Sequence, residues 1–119
     1  MNFIGIIPAR YASTRFPGKP LVDIEGKPMI QHVYEQTKKA LEHVYVATDD
    51  QRIYDAVIKF GGKVVLTSDK HQSGTDRLAE AIDIIHKTGQ EKFDAVINIQ
   101  GDEPFIKPQQ IKEIMSCFD

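Results

Sequence analysis

The chain has 119 residues, of which 41% are hydrophobic and 27% are charged, and its formal net charge is −2. This length suits a single domain with a real core, and the small net charge gives no sign of a nucleic-acid-binding surface. The one cysteine, Cys117, excludes an intrachain disulfide and indicates a reducing compartment. The first apolar run ends at Pro8 and is too short for a secretory signal, and no run approaches the length of a membrane span. We therefore predict a cytoplasmic protein that does not associate with membranes or nucleic acid.

Apolar runs of strand length alternate with segments of helical periodicity along the chain. The first run, 3–7, is predicted to be a buried strand that Pro8 ends. Pro28 is predicted to open the first helix, which runs to about Leu41, and Gly61 closes the second. Cys117 is expected to be buried or half-buried in the last helix. The remaining strands are predicted at 43–47, 63–66 and 94–99. The later helices are predicted around 53–60, from an N-cap at Ser73 to about Ile85, and around 108–118.

The resulting order, β-α-β-α-β-α-β-α, predicts an α/β fold with a mostly parallel sheet covered by helices on both faces. The sequence ends without a closing strand, so we expect residues 1–119 to form a single unit that is half of a larger domain whose C-terminal part is missing. In such a sheet all loops that follow strands gather at one edge, where open α/β sheets bind ligands.

The loop after the first predicted strand has the composition of an anion site. Between Met1 and Val22 the chain carries three cations and no acid, and Ser13 adds a hydroxyl. Guanidinium and ammonium groups bind phosphate oxygens, although a solvated basic loop is the alternative. The position after a strand favours a site, yet neither the G-x-x-x-x-G-K-[ST] nor the G-x-G-x-x-G motif is present. The cations of this basic loop are Arg10, Arg15 and Lys19.

Acidic residues follow the second and fourth predicted strands. If the strand order reverses between the first and fourth strands, Asp102 faces the basic loop across a crevice, where a carboxylate can hold Mg²⁺ beside phosphates. Asp102 is alternatively a turn residue, because Gly-Asp is typical of turns. Asp49 and Asp50 fit a helix N-cap and its neighbour better than metal ligands.

Arg77 lies one turn into the third predicted helix and has two interpretations. It is either a surface cation or an ion-pair partner of Asp76 or Glu80, or it reads the edge of a nucleotide base. In the second case, the neighbouring Ser73 and Gly74 would contribute to the same contact.

Four blocks of the sequence resemble one enzyme family. They are IIPARYASTRFPGKPL, VATDD, HQSGTDRLAE and NIQGDEP, and they extend over almost all of the chain. In order and spacing they are similar to the cytidylyltransferases that activate 3-deoxy-manno-octulosonate (KDO) for lipopolysaccharide. The related sialic-acid cytidylyltransferases share the fold and the basic first loop, but they do not normally carry HQSGT followed by QGDEP.

The resemblance implies a Rossmann-like nucleotidyltransferase fold and the conversion of CTP and KDO into CMP-KDO and pyrophosphate. It also implies Mg²⁺ as the cofactor, a Gram-negative cytoplasm and a homodimer of the full-length protein. Members of the family are longer, so the resemblance covers only their N-terminal, nucleotide-binding half, and we expect little or no activity from this half alone. The alternatives are a cytidylyltransferase for another acidic sugar (sialic acid or amino-KDO) and a non-catalytic nucleotide-binding module.

The resemblance also implies roles for individual residues. Asp102 would hold Mg²⁺, and Lys19 and Arg10 would stabilise charge on the leaving pyrophosphate. The remaining assignments are Arg10, Ser13, Arg15 and Lys19 for the triphosphate, Ala9 for the nucleotide through its backbone, Ser73, Gly74 and Arg77 for cytosine, and Gln100 for ribose or sugar.

Overall fold

A computed structural model describes residues 2–11, 18–68, 74–89, 92–99 and 107–117. Strands and helices alternate along these residues, which confirms the predicted α/β fold. No helix in these ranges is both long and apolar enough to cross a membrane. The elements are β1 (Phe3–Ala9), a 3-10 helix (Lys19–Leu21), β2 (Asp23–Ile24), β3 (Lys27–Pro28), α1 (Met29–Lys38), β4 (Val44–Thr48), α2 (Gln51–Lys59), β5 (Val64–Leu66), α3 (Gly74–Thr88), β6 (Ala95–Asn98) and α4 (Pro108–Ser116).

The main sheet has the strand order β5-β4-β1-β6, and every neighbouring pair is parallel. Strand β1 is central, with β4 on one side and β6 on the other. The strand order therefore reverses between β1 and β6, which are the first and fourth predicted strands. This reversal is the condition under which Asp102 was predicted to face the basic loop across a crevice. A separate two-stranded antiparallel hairpin, β2–β3, turns through Glu25 and Gly26, both of which have positive φ.

Alternating residues of the central strands bury the two faces of the sheet. On β1, Ile4 and Ile6 pack in the cluster that contains Ala81 and Ile85 of α3. Ile7 packs in the cluster formed with α1, α2 and α4. The helical members of the cluster around Ile7 include Ile30, Val33, Tyr34, Ile53, Val57 and Ile111. Helices thus cover both faces of the sheet, as predicted. Burial of each of these Ile side chains contributes about 1.5–3 kcal/mol of transfer free energy.

Local sequence signals explain the bounds of α2. Asp50 is its N-cap and accepts hydrogen bonds from the backbone N–H groups of Arg52 and Ile53. Gly61, just past the end of the helix, has a φ of 84°, which glycine adopts without steric cost.

The preceding helix, α1, ends at Lys38, earlier than predicted, and Leu41 is buried in the loop that follows it.

Pro8 does not end the first strand, contrary to the prediction. The N–H of Gly5 donates to the carbonyl of His43 on the β4 side, and the carbonyl of Ile6 accepts from the N–H of Ile99 on the β6 side. Because successive residues of a strand face opposite neighbours, the nitrogen of Pro8 points toward β6, beyond the last β1–β6 pair. The missing N–H therefore breaks no bond in the described ladder.

Cys117 is exposed, so the expectation of a buried or half-buried thiol was wrong. The apolar face of α4 is set by Ile111, which is buried, and Met115, which packs on the core. Each helical residue turns by about 100°, so Cys117 lies about 200° round from Met115. Ile114, on the predicted apolar face, is 47% exposed, and Phe118 lies outside the described residues.

Candidate nucleotide-binding site

The carboxyl end of β1 begins the candidate site. Ala9 is the last residue of the strand and is buried, and Arg10 follows it with an exposed side chain. The chain returns at Gly18, whose N–H donates to the carbonyl oxygen of Tyr11 at 2.7 Å. Lys19 then opens the 3-10 helix. The two ends of the basic loop are thus fixed beside the carboxyl end of β1, whereas the predicted phosphate ligands Ser13 and Arg15 lie outside the described residues.

Gly18 is required at the returning end of this loop. Its φ is 77°, a value that L side chains rarely adopt. A Cβ atom there would also lie 3.0 Å from Cε2 of the Tyr11 ring. The Tyr11 ring therefore packs directly against the backbone where the loop closes.

A side chain from α2 stacks on the same ring. The guanidinium carbon of Arg52 lies 3.2 Å from the ring centroid of Tyr11. Asp50 holds that guanidinium through two hydrogen bonds, Nη2 to Oδ2 at 2.8 Å and Nε to Oδ1 at 3.2 Å. The pKa of the Asp50 carboxyl lies below its ordinary value, mainly because of the hydrogen bonds from the Arg52 side chain. The backbone N–H groups of Arg52 and Ile53 lower it further. Asp50 is thus a helix cap, as the sequence predicted, and it also orients Arg52.

Arg77 occupies an unexpected position. Its side chain is only 1% exposed, so it is not a surface cation. Its Nη1 donates to the hydroxyl of Thr67, and its Nη2 pairs with Oδ2 of Asp49 at 3.3 Å. The ion-pair partner is therefore Asp49 at the end of β4, not Asp76 or Glu80 as predicted. Base recognition by Arg77 stays a prediction, and the contacts show that its guanidinium joins β4, β5 and α3 at this edge of the sheet.

The start of the β5–α3 loop is held by a side chain of α3. The N–H of Ser68 donates to both carboxylate oxygens of Glu80, at 3.1 and 3.0 Å. Gly74 is the first residue of α3, so the backbone of this predicted cytosine contact lies at a helix N-terminus on the same edge. The remaining predicted site residues, Ser73, Gln100 and Asp102, lie outside the described residues. Within the described ranges, no group of three or more His, Cys, Asp or Glu side chains could hold a metal ion.

The parallel topology thus brings Ala9, Arg10, Lys19, Gly74 and Arg77 to one edge of the sheet. A basic loop at the carboxyl end of the first strand, beside the point where the strand order reverses, is the arrangement with which open α/β proteins bind nucleotides. Tyr11 and Arg52 were not predicted as site residues, because a stack between a loop and a helix distant in the sequence leaves no local pattern.

Comparison with known proteins identifies the family. A family model described as "Cytidylyltransferase" matches residues 4–117, and the chain belongs to this family. It is 66% identical over 118 residues to the 3-deoxy-manno-octulosonate cytidylyltransferase of Parabacteroides distasonis, covering 99% of this chain and 45% of that protein. It is also 55% identical over 121 residues to the 8-amino-3,8-dideoxy-manno-octulosonate cytidylyltransferase of Shewanella oneidensis, covering 100% of this chain and 48% of that protein.

A solved structure of CMP:2-keto-3-deoxy-manno-octonic acid synthetase complexed with CTP has the same fold. The two structures superpose with a TM-score of 0.88 at 48% sequence identity, covering 99% of this chain and 47% of the other. The resemblance drawn from the four sequence blocks is therefore confirmed at the level of family and fold. The chain spans slightly less than half the length of the curated relatives it matches.

Proposed function

We propose that the protein containing this chain is a cytidylyltransferase that converts CTP and KDO into CMP-KDO and pyrophosphate, a step toward lipopolysaccharide. The observation that carries the proposal is the 66% identity to a KDO cytidylyltransferase over nearly the whole chain. The similarity to a synthetase structure complexed with CTP supports the same nucleotide. In this proposal the chain supplies the nucleotide-binding half of the enzyme.

The proposed reaction is an in-line displacement at phosphorus. The anomeric hydroxyl of the sugar attacks the α-phosphorus of CTP, a new O–P bond forms, the hydroxyl proton passes to water, and pyrophosphate leaves. Catalysis comes from positioning and charge neutralisation, without a covalent protein intermediate. Arg10 and Lys19, near the two ends of the basic loop, stabilise the negative charge that grows on pyrophosphate, while Ser13 and Arg15 bind the triphosphate.

The base and metal contacts follow the family motifs. Ser73, Gly74 and Arg77 select cytosine, Gln100 contacts ribose or sugar, and the backbone of Ala9 lies against the nucleotide. Asp102 is the proposed Mg²⁺ ligand, since a carboxylate is a hard oxygen donor that suits this ion. When bound, Mg²⁺ neutralises charge on the phosphate oxygens.

A second candidate substrate is the 8-amino analogue of KDO. The 55% identity to an enzyme named for that sugar favours it over sialic acid as the alternative, but the higher identity to KDO enzymes favours KDO itself. We further propose a homodimeric, cytoplasmic enzyme, as the family resemblance implies.

Pyrophosphate release by the full-length protein tests the proposal. We expect release with CTP and KDO, and much less when 8-amino-KDO or sialic acid replaces KDO. Preference for another sugar would reassign the substrate, and CTP binding without pyrophosphate release from any of the three would support a non-catalytic module.

Two variants test the assigned catalytic roles. Asp102→Asn is expected to lower turnover roughly a hundredfold while changing CTP affinity far less, because the metal acts most strongly on the transition state. Equal losses in turnover and affinity would refute this role. Lys19→Ala is expected to lower turnover severely, whereas Lys59→Ala, which removes an exposed lysine at the far end of α2, serves as the matched control. Near-normal turnover of Lys19→Ala would exclude Lys19 from the mechanism.

A further inference from the structure

The stack of Tyr11 on Arg52 has no role in the mechanism above, although it lies at the edge of the proposed CTP site. We propose that Asp50, Arg52 and Tyr11 form a clamp, here called the Tyr11 clamp, that holds both ends of the basic loop in the geometry that binds the triphosphate. Arg52 is then a positioning residue that acts through Tyr11. This inference rests on the proposed function and names Arg52, which lies outside the four sequence blocks, as a determinant of CTP binding.

The anchor of the clamp is rigid. Asp50 accepts hydrogen bonds from the N–H groups of Arg52 and Ile53 at 2.8 and 3.3 Å, so its carboxylate is fixed by the first turn of α2. The same carboxylate accepts two hydrogen bonds from the guanidinium, and together they fix the orientation of the guanidinium plane. The Arg52 side chain is therefore held in place although it is 59% exposed.

The partner of this anchor is Tyr11, the last described residue before the middle of the basic loop. At 3.2 Å from the ring centroid, the Arg52 guanidinium makes a cation–π contact with Tyr11. Tyr11 contacts Gly18 in two ways. The Gly18 N–H donates to the Tyr11 carbonyl oxygen, and the Tyr11 ring packs against the glycine. One contact from α2 therefore restrains the loop where it leaves β1 and where it returns. Arg10 and Lys19, the two proposed catalytic cations, immediately flank these restrained positions.

The charge of the clamp argues against a direct phosphate contact by Arg52. Its guanidinium is already paired with the Asp50 carboxylate, which neutralises the positive charge and uses its Nε and Nη2 donors. An arginine whose guanidinium is not already paired with a carboxylate would be expected to bind phosphate more strongly. The arrangement instead suits the orientation of an aromatic ring.

Three variants of the full-length protein test the clamp. Arg52→Ala removes the guanidinium, Tyr11→Leu removes the aromatic face while keeping apolar bulk, and Asp50→Asn keeps a good N-cap while removing the charge. Lys59→Ala is the matched control, because it removes an exposed cation from the same helix. Two quantities are measured for each variant: the Kd for CTP by calorimetry and the hydrogen-exchange rate of the Gly18 amide.

We expect Arg52→Ala to weaken CTP binding and to speed exchange at Gly18, each by roughly two- to fivefold, as an exposed cation–π contact would allow. Asp50→Asn should shift both quantities in the same direction, and Lys59→Ala should shift neither. The Arg52→Ala/Tyr11→Leu double variant should be no worse than the more affected single variant, because both changes break one contact. Amides within α2, such as that of Val57, should exchange at the wild-type rate.

Unchanged Gly18 exchange and CTP affinity in Arg52→Ala would overturn the clamp. Effects of Arg52→Ala and Tyr11→Leu that multiply in the double variant would also overturn it, since they would point to a direct contact between Arg52 and the nucleotide. If the wild-type protein does not bind CTP, the proposed function fails, and the exchange rate of the Gly18 amide in the variants still decides whether the clamp restrains Gly18 against Tyr11.

Discussion

We predict that breaking the buried ion pair between Arg77 and Asp49 lowers the free energy of unfolding. Asp49→Asn keeps a side chain of the same shape and an oxygen acceptor, but it removes the counter-charge of a guanidinium that is only 1% exposed. A buried charge without a partner is strongly destabilising, because the desolvation cost stays while the attraction is lost. The perturbation therefore isolates the electrostatic part of the contact.

The structure sets the magnitude. Removing one partner of a fully buried pair costs about 3–5 kcal/mol. Asp49 is 19% exposed and the separation is 3.3 Å, so the loss should lie at or below the lower end of that range. We expect the free energy of unfolding to fall by about 2–3 kcal/mol, which shifts the midpoint of urea denaturation by about 1 M.

Urea denaturation followed by circular dichroism measures this change. The matched control is Asp83→Asn, which breaks an exposed pair with Lys87 whose side chains are 62% and 74% exposed. That variant should lose less than about 0.5 kcal/mol. Combining Asp49→Asn with Arg77→Met should restore part of the lost stability, because the unpaired charge is then removed as well. Equal losses in Asp49→Asn and Asp83→Asn, or no recovery in the double variant, would refute the argument.

Two further predictions concern packing and pH. Gly5→Ala should destabilise the protein by about 1–3 kcal/mol, because the new Cβ would lie 2.7 Å from Cδ1 of Leu41, and thermal denaturation against wild type checks this. Asp50 has a lowered pKa in the folded state, so its stabilising contribution is present above the pKa of the unfolded chain and is lost as the pH falls through the lower folded value. The stability difference between wild type and Asp50→Asn should therefore shrink on acidification, and a difference that stays constant down to pH 2 would contradict this.

Features with local chemical causes were predictable from the sequence. The N-cap at Asp50 and the left-handed Gly61 after α2 depend on neighbouring backbone groups alone. The alternation of buried residues along the central strands follows from the period of a strand. The basic loop was likewise recognisable, because its cations are close together in the sequence and follow a strand.

Features that depend on tertiary contacts were not predictable. Pro8 stays in β1 because its nitrogen points toward β6 beyond the last described β1–β6 pair, so the missing N–H breaks no bond in the described ladder. The partner of Arg77 is a residue from another loop, whereas the sequence offered only helical neighbours. Tyr11 and Arg52 meet only when α2 packs beside the end of β1. In each case the deciding neighbour is distant in the chain, and the sequence carries no period or cap that signals it.

The most direct test of the account is calorimetric titration of the full-length protein with CTP, and separately with ATP, in the presence of Mg²⁺. We predict that CTP binds and that ATP binds much more weakly, since in the proposed function the basic loop holds the triphosphate and the start of α3 selects the base. Equal affinity for the two nucleotides, or no binding of either, would contradict the claim that this edge of the sheet is a cytidine triphosphate site.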